Sequence, residues 1–347
     1  MKRNQLLFAA LCLGGVTFGL QQSTAVDRFV QYAYNHTGEV AVSSSGVAEL
    51  SQGGGIWSGW GQQNEKRKAQ VLEQIKAEAE KRRVEPIDAK IDSVWKAIPG
   101  YNGLEVDIER TLELAEQRAF AEPLQLQYRE IPPKVGLEEL GSQPIYKGNP
   151  NKKMVGLMIN VAWGDEYLAP MLETLRTENV HATFFFDGTW LKKNIPTAQK
   201  IVEAGHEPGN HAYTHKDMSK LGRAQQTTEI SRTEALLKEA GLENKLFAPP
   251  SGDYNKMTVD IAHELNLKTI LWTLDTVDWK KPDPSSVVRK IADRVEPGTL
   301  ILMHPTDTSN RALKGMIRSI KSKGLALGTV SEVLSPARIP EVESTGQ

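Results

Sequence analysis

An alternation of apolar runs with helical stretches begins at Met154 and limits what this chain can fold into more than any other feature. The first run, Met154–Val161, is apolar at nearly every position, as expected for a strand buried on both faces of a parallel sheet. Repeated βα units of this length predict an α/β fold whose parallel strands curl into a barrel with helices outside. Further strands are predicted at 181–187, 206–211, 245–248, 268–274, 299–304 and 325–328, and helices at 167–178, 195–204, 223–240, 255–265, 284–294 and 310–323.

Polar side chains stand at the ends of these predicted strands, where parallel α/β folds gather their functional groups. His211 and His215 are separated by three residues, so both imidazoles can converge on one divalent metal. The spacing alone supplies two ligands, and a third has to come from another strand end. The other candidates at strand ends are Asn160, Asp187, Asp275, Asp278 and His304.

The N-terminus has the pattern of an export signal. Lys2 and Arg3 precede an apolar run at 6–20, which has signal-peptide length and is short for a transmembrane helix. We predict that residues 1–25 form a signal peptide or, if uncleaved, a membrane anchor. The protein is then expected to be exported and extracytoplasmic, in the cell wall or anchored to the membrane.

Two regions flank the repeating pattern. Glycine and serine enrichment at 26–64 is typical of a flexible linker. A charged helix at 65–83, a helix capped by Asp107 and a strand at 124–131 predict a small helical or α+β module over residues 65–145. The last residues, 336–347, are predicted to be a disordered tail.

The region 146–335 resembles the polysaccharide deacetylase (NodB homology, carbohydrate esterase family 4) domain. Three segments carry the resemblance, the histidine pair in 211–215, Asp275-Thr276-Val277-Asp278-Trp279 and Leu302-Met303-His304. The resemblance implies a distorted (β/α) barrel that removes N-acetyl groups from chitin-like or peptidoglycan glycans with the help of a divalent metal such as zinc.

The resemblance also implies roles for individual residues. His211 and His215 match two metal ligands, and His304 matches the acid that protonates the leaving amine. Asp275 and Asp278 belong to a further catalytic segment. The positions that match the substrate groove are Pro250, Ser251, Trp279 and Leu302.

The chain departs from the family at positions that carry the chemistry, and Ser251 stands where the family has an aromatic residue in the groove. The family motif Thr-Phe-Asp-Asp-Gly matches residues 158–162, where Asn160 replaces the base and Val161 replaces the third metal ligand. An amide has no useful proton affinity near neutral pH, and valine cannot coordinate a metal. Ala248 replaces the arginine that pairs with the base, so this ion pair is missing as a unit. Any divalent metal is therefore predicted to be weakly held or absent.

Three interpretations remain open. The first is a deacetylase-fold protein without standard hydrolysis, which binds glycan or assists envelope assembly. The second is an active N-deacetylase in which Asp187, Asp165 or Glu166 supplies the lost carboxylate. Asp187 is placed best for this, although capping the next helix is a more common role for such a residue. The third is a different metal hydrolase on the same barrel.

Partners are predicted from the same resemblance. Segments 145–150 and 158–164 resemble sporulation-associated deacetylase-like proteins of endospore-forming bacilli, which implies spore or cell-wall peptidoglycan, or another N-acetylglucosamine glycan. Membrane contact is expected only through an uncleaved N-terminal segment. The formal net charge of −1, with both signs interspersed, indicates no nucleic-acid partner.

Overall fold

The computed structural model describes residues 54–339, with side chains from residue 63 onward. The chain divides into two units, Met1–Ala69 and Gln70–Gln347. The predicted signal or anchor segment, residues 26–53 of the predicted linker and residues 340–347 of the predicted tail lie outside the described residues. Within the described part, no helix combines the length and the apolar character needed to cross a membrane.

Both predicted flexible regions contain ordered residues. Helix α1 (Gly54–Arg82) begins inside the predicted linker, so that prediction is wrong for residues 54–64. Adding residues to an existing helix costs less than starting one, so the helix predicted from 65 extends into the glycine-rich sequence. The tail prediction is wrong for residues 336–339, because the Arg338 backbone N–H donates to Glu130 (3.1 Å) and Ile339 is buried.

Short strands in two antiparallel pairs precede the large sheet. One pair is β1 (Lys90–Asp92) with β2 (Lys96–Ile98), and the other is β3 (Gly103–Val106) with β4 (Tyr128–Ile131). The helix between β3 and β4 begins at the predicted cap, where Asp107 Oδ1 accepts the Arg110 N–H at 3.0 Å. This confirms the predicted helix start. The helix is α2 (Ile108–Gln117).

A curled, open parallel sheet, a half-barrel, forms the body of the second unit and confirms the predicted α/β fold class. The strand order is β10-β11-β5-β6-β7-β8-β9, and β12 pairs with the start of β5. The strands are β5 (Met154–Val161), β6 (Thr183–Phe186), β7 (Glu207–Asn210), β8 (Leu246–Phe247), β9 (Lys268–Thr269), β10 (Leu274–Asp275), β11 (Leu300–Met303) and β12 (Ala326–Gly328). The helices are α3 (Asp165–Thr177), α4 (Gly188–Glu203), α5 (Arg223–Glu239), α6 (Lys256–Glu264), α7 (Pro284–Arg294), α8 (Asp307–Ser322) and α9 (Val330–Leu334).

The strand predicted at 268–274 is interrupted, and this keeps the sheet open. Its two ends are β9 and β10, which do not pair with each other. The backbone of Ile145 takes the available hydrogen bonds there: its N–H donates to Thr269 O (2.9 Å) and its carbonyl accepts from Leu271 N (2.8 Å). The segment around Ile145 therefore occupies a place that a closed barrel would give to strand pairing.

Alternate residues of β5 belong to two different apolar layers. Val155, Leu157, Ile159 and Val161 pack in the layer shared with the surrounding helices. Met158 packs in the layer inside the curled sheet, with Ala248 and Leu302 among its members. Asn160 is two residues beyond Met158, so its side chain lies on the same face of β5, the face toward the inside of the curled sheet.

Candidate active site at the carboxyl edge of the sheet

Strand pairing brings several predicted residues together at one edge of the sheet. The Asp187 N–H donates to Val161 O (2.9 Å), and the His211 N–H donates to Phe186 O (3.0 Å). The N–H of Ala248 hydrogen-bonds in turn to the residue before His211 (2.9 Å). The ends of β5, β6, β7 and β8 are thus neighbours, as expected for the functional edge of a parallel sheet.

The two histidines of the predicted metal motif lie next to each other. Their ring centroids are 5.0 Å apart. His211 is buried, and its Nδ1 donates to Ala248 O at 2.7 Å, which leaves Nε2 with a lone pair. Burial lowers the pKa of His211 to about 3, and nearby His215 and then His304 act in the same direction. His211 is therefore a neutral imidazole near neutral pH, the form that binds a metal.

A buried carboxylate holds the loop that carries this pair. Glu229 of α5 accepts the backbone N–H groups of Tyr213 (3.1 Å) and Thr214 (2.7 Å), and the Thr214 hydroxyl at 2.6 Å. The loop needs this support because Ala212 and His215 both have left-handed backbone angles, with φ of 58° and 55°.

Sequence reasoning missed this anchor. Glu229 stands on the buried face of α5 with Gln226, Thr233 and Leu237. Glu229 falls at the helical spacing of the buried positions, and this spacing could have identified it as an anchor. A carboxylate is seldom buried without hydrogen-bond partners.

Apolar core fills the position that the resemblance assigns to the third metal ligand. The Val161 side chain is fully buried in the layer between sheet and helices. At the position of the base, Asn160 is 4% exposed, and its Oδ1 has no hydrogen-bond partner among the described residues. Neither side chain can supply the carboxylate that the family motif implies.

Two of the three candidate substitute carboxylates, Asp187 and Asp165, make other contacts. Asp187 Oδ1 caps α4 by accepting the N–H groups of Thr189 (2.9 Å) and Trp190 (3.0 Å), so that α4 starts at Gly188 and not at the predicted 195. Its Oδ2 is buried with no hydrogen-bond partner among the described residues. Asp165 accepts the indole N–H of Trp190 at 2.5 Å.

These residues do not fit a standard catalytic metal site. Within residues 63–339, no group of three or more His, Cys, Asp or Glu side chains is arranged to hold a metal ion. Catalytic zinc normally has three protein ligands. His211 and His215 provide two, and neither Asp187 nor Val161 completes the set.

Apolar residues also surround Ala248, which stands where the resemblance places an arginine. Ala248 is fully buried in the inner apolar layer, where Met158, Ile270 and Leu302 also lie. Leu302, predicted to contact substrate, is only 3% exposed. Of the two other groove positions on this side, Pro250 is buried, whereas Ser251 is exposed in a turn with φ of 56°.

The predicted acid, in contrast, has an intact partner. His304 Nδ1 lies 3.0 Å from Asp278 Oδ1, and the His304 backbone N–H donates to Oδ2 at 2.7 Å. Asp278 also accepts the hydroxyls of Thr276 (3.0 Å) and Ser309. Burial raises the pKa of Asp278, but the hydrogen bond and charge of His304 and the bond from Ser309 outweigh this and hold it below its ordinary value. A carboxylate is thus kept ionised beside the imidazole.

The neighbouring aspartate shapes the backbone. Asp275 Oδ1 accepts the N–H of Val277 at 2.7 Å, and Val277 has a left-handed φ of 55°. The side chain of Lys290 donates to the Asp275 carbonyl at 2.7 Å. Asp275 therefore supports the turn that leads into Asp278.

Two tryptophans are exposed beside the His304–Asp278 pair. Trp279, predicted for the groove, is 53% exposed. Trp163, which sequence reasoning did not single out, is 45% exposed and stacks on the His304 ring with centroids 5.3 Å apart and planes 16° apart.

The chain is similar to a deacetylase family model, to an uncharacterized protein and to a peptidoglycan deacetylase. Residues 147–270 match the family model described as polysaccharide deacetylase. The chain is 44% identical over 270 residues to the uncharacterized protein YlxY of Bacillus subtilis strain 168, covering 78% of this chain and 85% of that protein. It is 30% identical over 199 residues to a peptidoglycan-N-acetylglucosamine deacetylase of Bacillus cereus, covering 56% and 72% of the two chains.

A solved structure extends this similarity to most of the described residues. The wild-type form of a CE4 family pseudoenzyme from Bacillus anthracis is 41% identical, with a TM-score of 0.72 over 78% of this chain and 96% of that one. A mutant of the same protein, described as having restored enzymatic activity, is 40% identical and has the same TM-score over 78% and 99% of the two chains.

Proposed function

Because the chain belongs to the polysaccharide deacetylase family, we propose that it is a glycan-binding member with little or no deacetylase activity. One observation carries the proposal. At the position of the third metal ligand, Val161 is fully buried in apolar core, and no third ligand joins His211 and His215 among the described residues.

The chemistry of the site supports binding more than hydrolysis. Hydrolysis of an amide needs an activated water, a base that accepts its proton and an acid for the departing nitrogen. In this chain His304 keeps the partner that an acid requires, but Asn160 cannot accept a proton. The site keeps groups that can contact an N-acetylated sugar and has lost those that would activate water.

The proposed ligand is peptidoglycan or a related N-acetylglucosamine polymer of the cell wall or spore. The Bacillus cereus relative is named for its action on peptidoglycan N-acetylglucosamine, which supports this choice. We further propose that the protein meets this ligand outside the cytoplasm, on the basis of the signal-like pattern at 1–25.

Acetate release tests the loss of activity. The substrates are N-acetylglucosamine oligomers and purified peptidoglycan, with added zinc or cobalt. We expect the wild-type protein to release no more acetate than the His211→Ala variant. Turnover clearly above that control would overturn the proposal.

A reconstruction identifies which losses matter. The triple variant Asn160→Asp/Val161→Asp/Ala248→Arg returns the base, the ligand and the arginine of the family motif. We expect it to release acetate in a metal-dependent way, since a mutant of the 40% identical pseudoenzyme is described as having restored activity. Metal binding without turnover would mean that the groove has changed too.

A second function, active deacetylation with a substitute carboxylate, is favoured by one observation. Asp187 Oδ2 is buried and has no hydrogen-bond partner among the described residues. The Asp187→Asn variant keeps the oxygen that caps α4 and removes the charge. If the wild-type protein does release acetate and Asp187→Asn abolishes it, this second function replaces the first.

A further inference from the structure

A groove of about 840 Å³ opens beside the predicted acid, and both exposed tryptophans line it. Its walls come from the loops after β5, β10 and β11, so it continues directly from the carboxyl edge of the sheet. The size lies in the range of sites that enclose small organic ligands. The groove is large enough to hold more than a single acetamido group.

The backbone fixes Trp163 at this groove. Gly164, the next residue, has φ of 85°, and a Cβ built on it would lie 2.0 Å from Pro305 O. Only glycine allows this close approach, which presses the loop after β5 against the residue that follows His304. The indole of Trp163 is thereby laid nearly parallel on the imidazole of His304, while 45% of the residue stays exposed.

Trp279 is also held by its neighbours. It follows Asp278, whose buried carboxylate anchors the turn, and the flanking residues Val277 and Lys281 both have left-handed φ angles. The amino group of Lys280 lies 4.8 Å from the centre of the Trp279 ring. An ordered exposed indole offers a flat apolar surface at little cost in conformational entropy.

The polar groups around these indoles indicate the chemistry of the ligand. Glu166, Asp283 and Asp307 line the groove together with Lys281 and Arg311, and Arg311 lies 3.4 Å from Asp307. The charges are of mixed sign, so no strongly charged ligand is favoured. Flat apolar surfaces with polar groups at their rim suit pyranose rings, which have apolar faces and hydroxyl edges.

We propose that Trp163 is a sugar-stacking platform which, together with Trp279, lets this groove bind successive rings of a β-linked N-acetylglucosamine chain. The proposal rests on the proposed glycan-binding function and deepens it. Stacking on Trp163 would then contribute to the affinity for the glycan without a metal, a catalytic base or the two histidines.

Calorimetric titration of the full chain with chitotetraose, in the presence of a chelator, tests the proposal. We expect Trp163→Ala to weaken binding about tenfold, the loss typical of an aromatic anchor. Trp163→Phe keeps an aromatic face and should stay within about threefold of wild type. Val94→Ala, a change at another exposed apolar residue, should leave the affinity unchanged.

The outcomes separate this inference from the proposed function. If the wild-type protein binds chitotetraose and Trp163→Ala binds equally well, the platform is refuted while glycan binding stands. If the wild-type protein binds neither chitotetraose nor peptidoglycan, both are refuted. Thermal unfolding of each variant shows whether a loss of affinity comes from loss of fold. If Trp163→Ala unfolds, Trp163→Leu, which keeps an apolar side chain without an aromatic face, replaces it, and affinity equal to wild type would then refute the platform.

Discussion

Asp278 holds His304 through two contacts at once, one to the ring and one to the backbone. Oδ1 lies 3.0 Å from the ring Nδ1, and Oδ2 accepts the backbone N–H at 2.7 Å. Hydroxyl groups of Thr276 and Ser309 donate to the same Oδ2. The backbone N–H can only donate, so Oδ2 has to be an acceptor, and a carboxylate accepts from the ring, the backbone and the hydroxyls together.

The Asp278→Asn variant should therefore be strongly destabilised. The amide has one acceptor oxygen in place of two and lacks the charge that strengthens these hydrogen bonds, so we expect a cost of about 2–4 kcal/mol in this buried site. Urea unfolding measures the loss. Asp275→Asn is the matched control, because its retained Oδ1 still accepts from Val277 and the cost should stay below about 1 kcal/mol. Equal losses in the two variants would contradict the account.

The fold was predictable where a pattern repeats, and less so where one contact decides the outcome. The apolar run of β5 and the strand-end polar residues predicted the parallel sheet and the edge at which the candidate residues meet. The break between β9 and β10 was missed because it depends on Ile145, a residue distant in sequence whose backbone takes the hydrogen bonds there. Such partners leave no local periodicity to detect.

The candidate site divides in the same way. The histidine spacing and the departures from the family motif at Asn160, Val161 and Ala248 are visible in the sequence. The packing that fills the last two positions is not, because it arises from two separate apolar layers of the fold. The stack of Trp163 on His304 joins residues from two loops and likewise needed the structure.

Glu229 should be essential for the loop that carries the histidine pair. Glu229→Leu removes the acceptor for the Tyr213 and Thr214 backbone N–H groups, so we expect about 2–3 kcal/mol of lost stability. Hydrogen exchange of those two amides should accelerate. Glu239→Leu, at an exposed position of the same helix, should cost no more than about 0.5 kcal/mol. Unchanged exchange in Glu229→Leu would show that other contacts hold the loop.

Val161→Asp should make stability depend on a metal. A carboxylate in this apolar layer costs about 3–5 kcal/mol when it has no partner. If it joins His211 and His215 as a third ligand, zinc should recover part of that loss, since a ligand that binds only the folded state stabilises it. Thermal unfolding with zinc and with a chelator measures the difference.

The control for this change is Val161→Asn, which has the shape of aspartate without its charge. We expect zinc to raise the melting temperature of Val161→Asp clearly more than that of Val161→Asn or the wild-type protein. Equal responses of the three proteins to zinc would mean that position 161 cannot reach the metal. The single-site reconstruction of the ligand set would then be wrong.

His206 should make the protein sensitive to mild acid. It is buried, and its Nδ1 accepts the Ala182 N–H at 3.2 Å, so the ring is neutral in the folded state. Burial, with a contribution from His181, lowers its pKa from 6.5 to about 4. Between these values the unfolded chain binds a proton that the folded chain does not, so stability rises with pH and is lost as pH falls from 6.5 to 4.

The His206→Asn variant isolates this effect, because its Oδ1 can replace the Nδ1 acceptor and does not titrate. Allowing for partial solvent screening, the wild-type protein should lose about 2 kcal/mol more than the variant between pH 6.5 and 4. Urea unfolding at a series of pH values measures both curves. If the two curves run parallel, the proton is taken up elsewhere, and the buried ring of His206 is not what limits stability in acid.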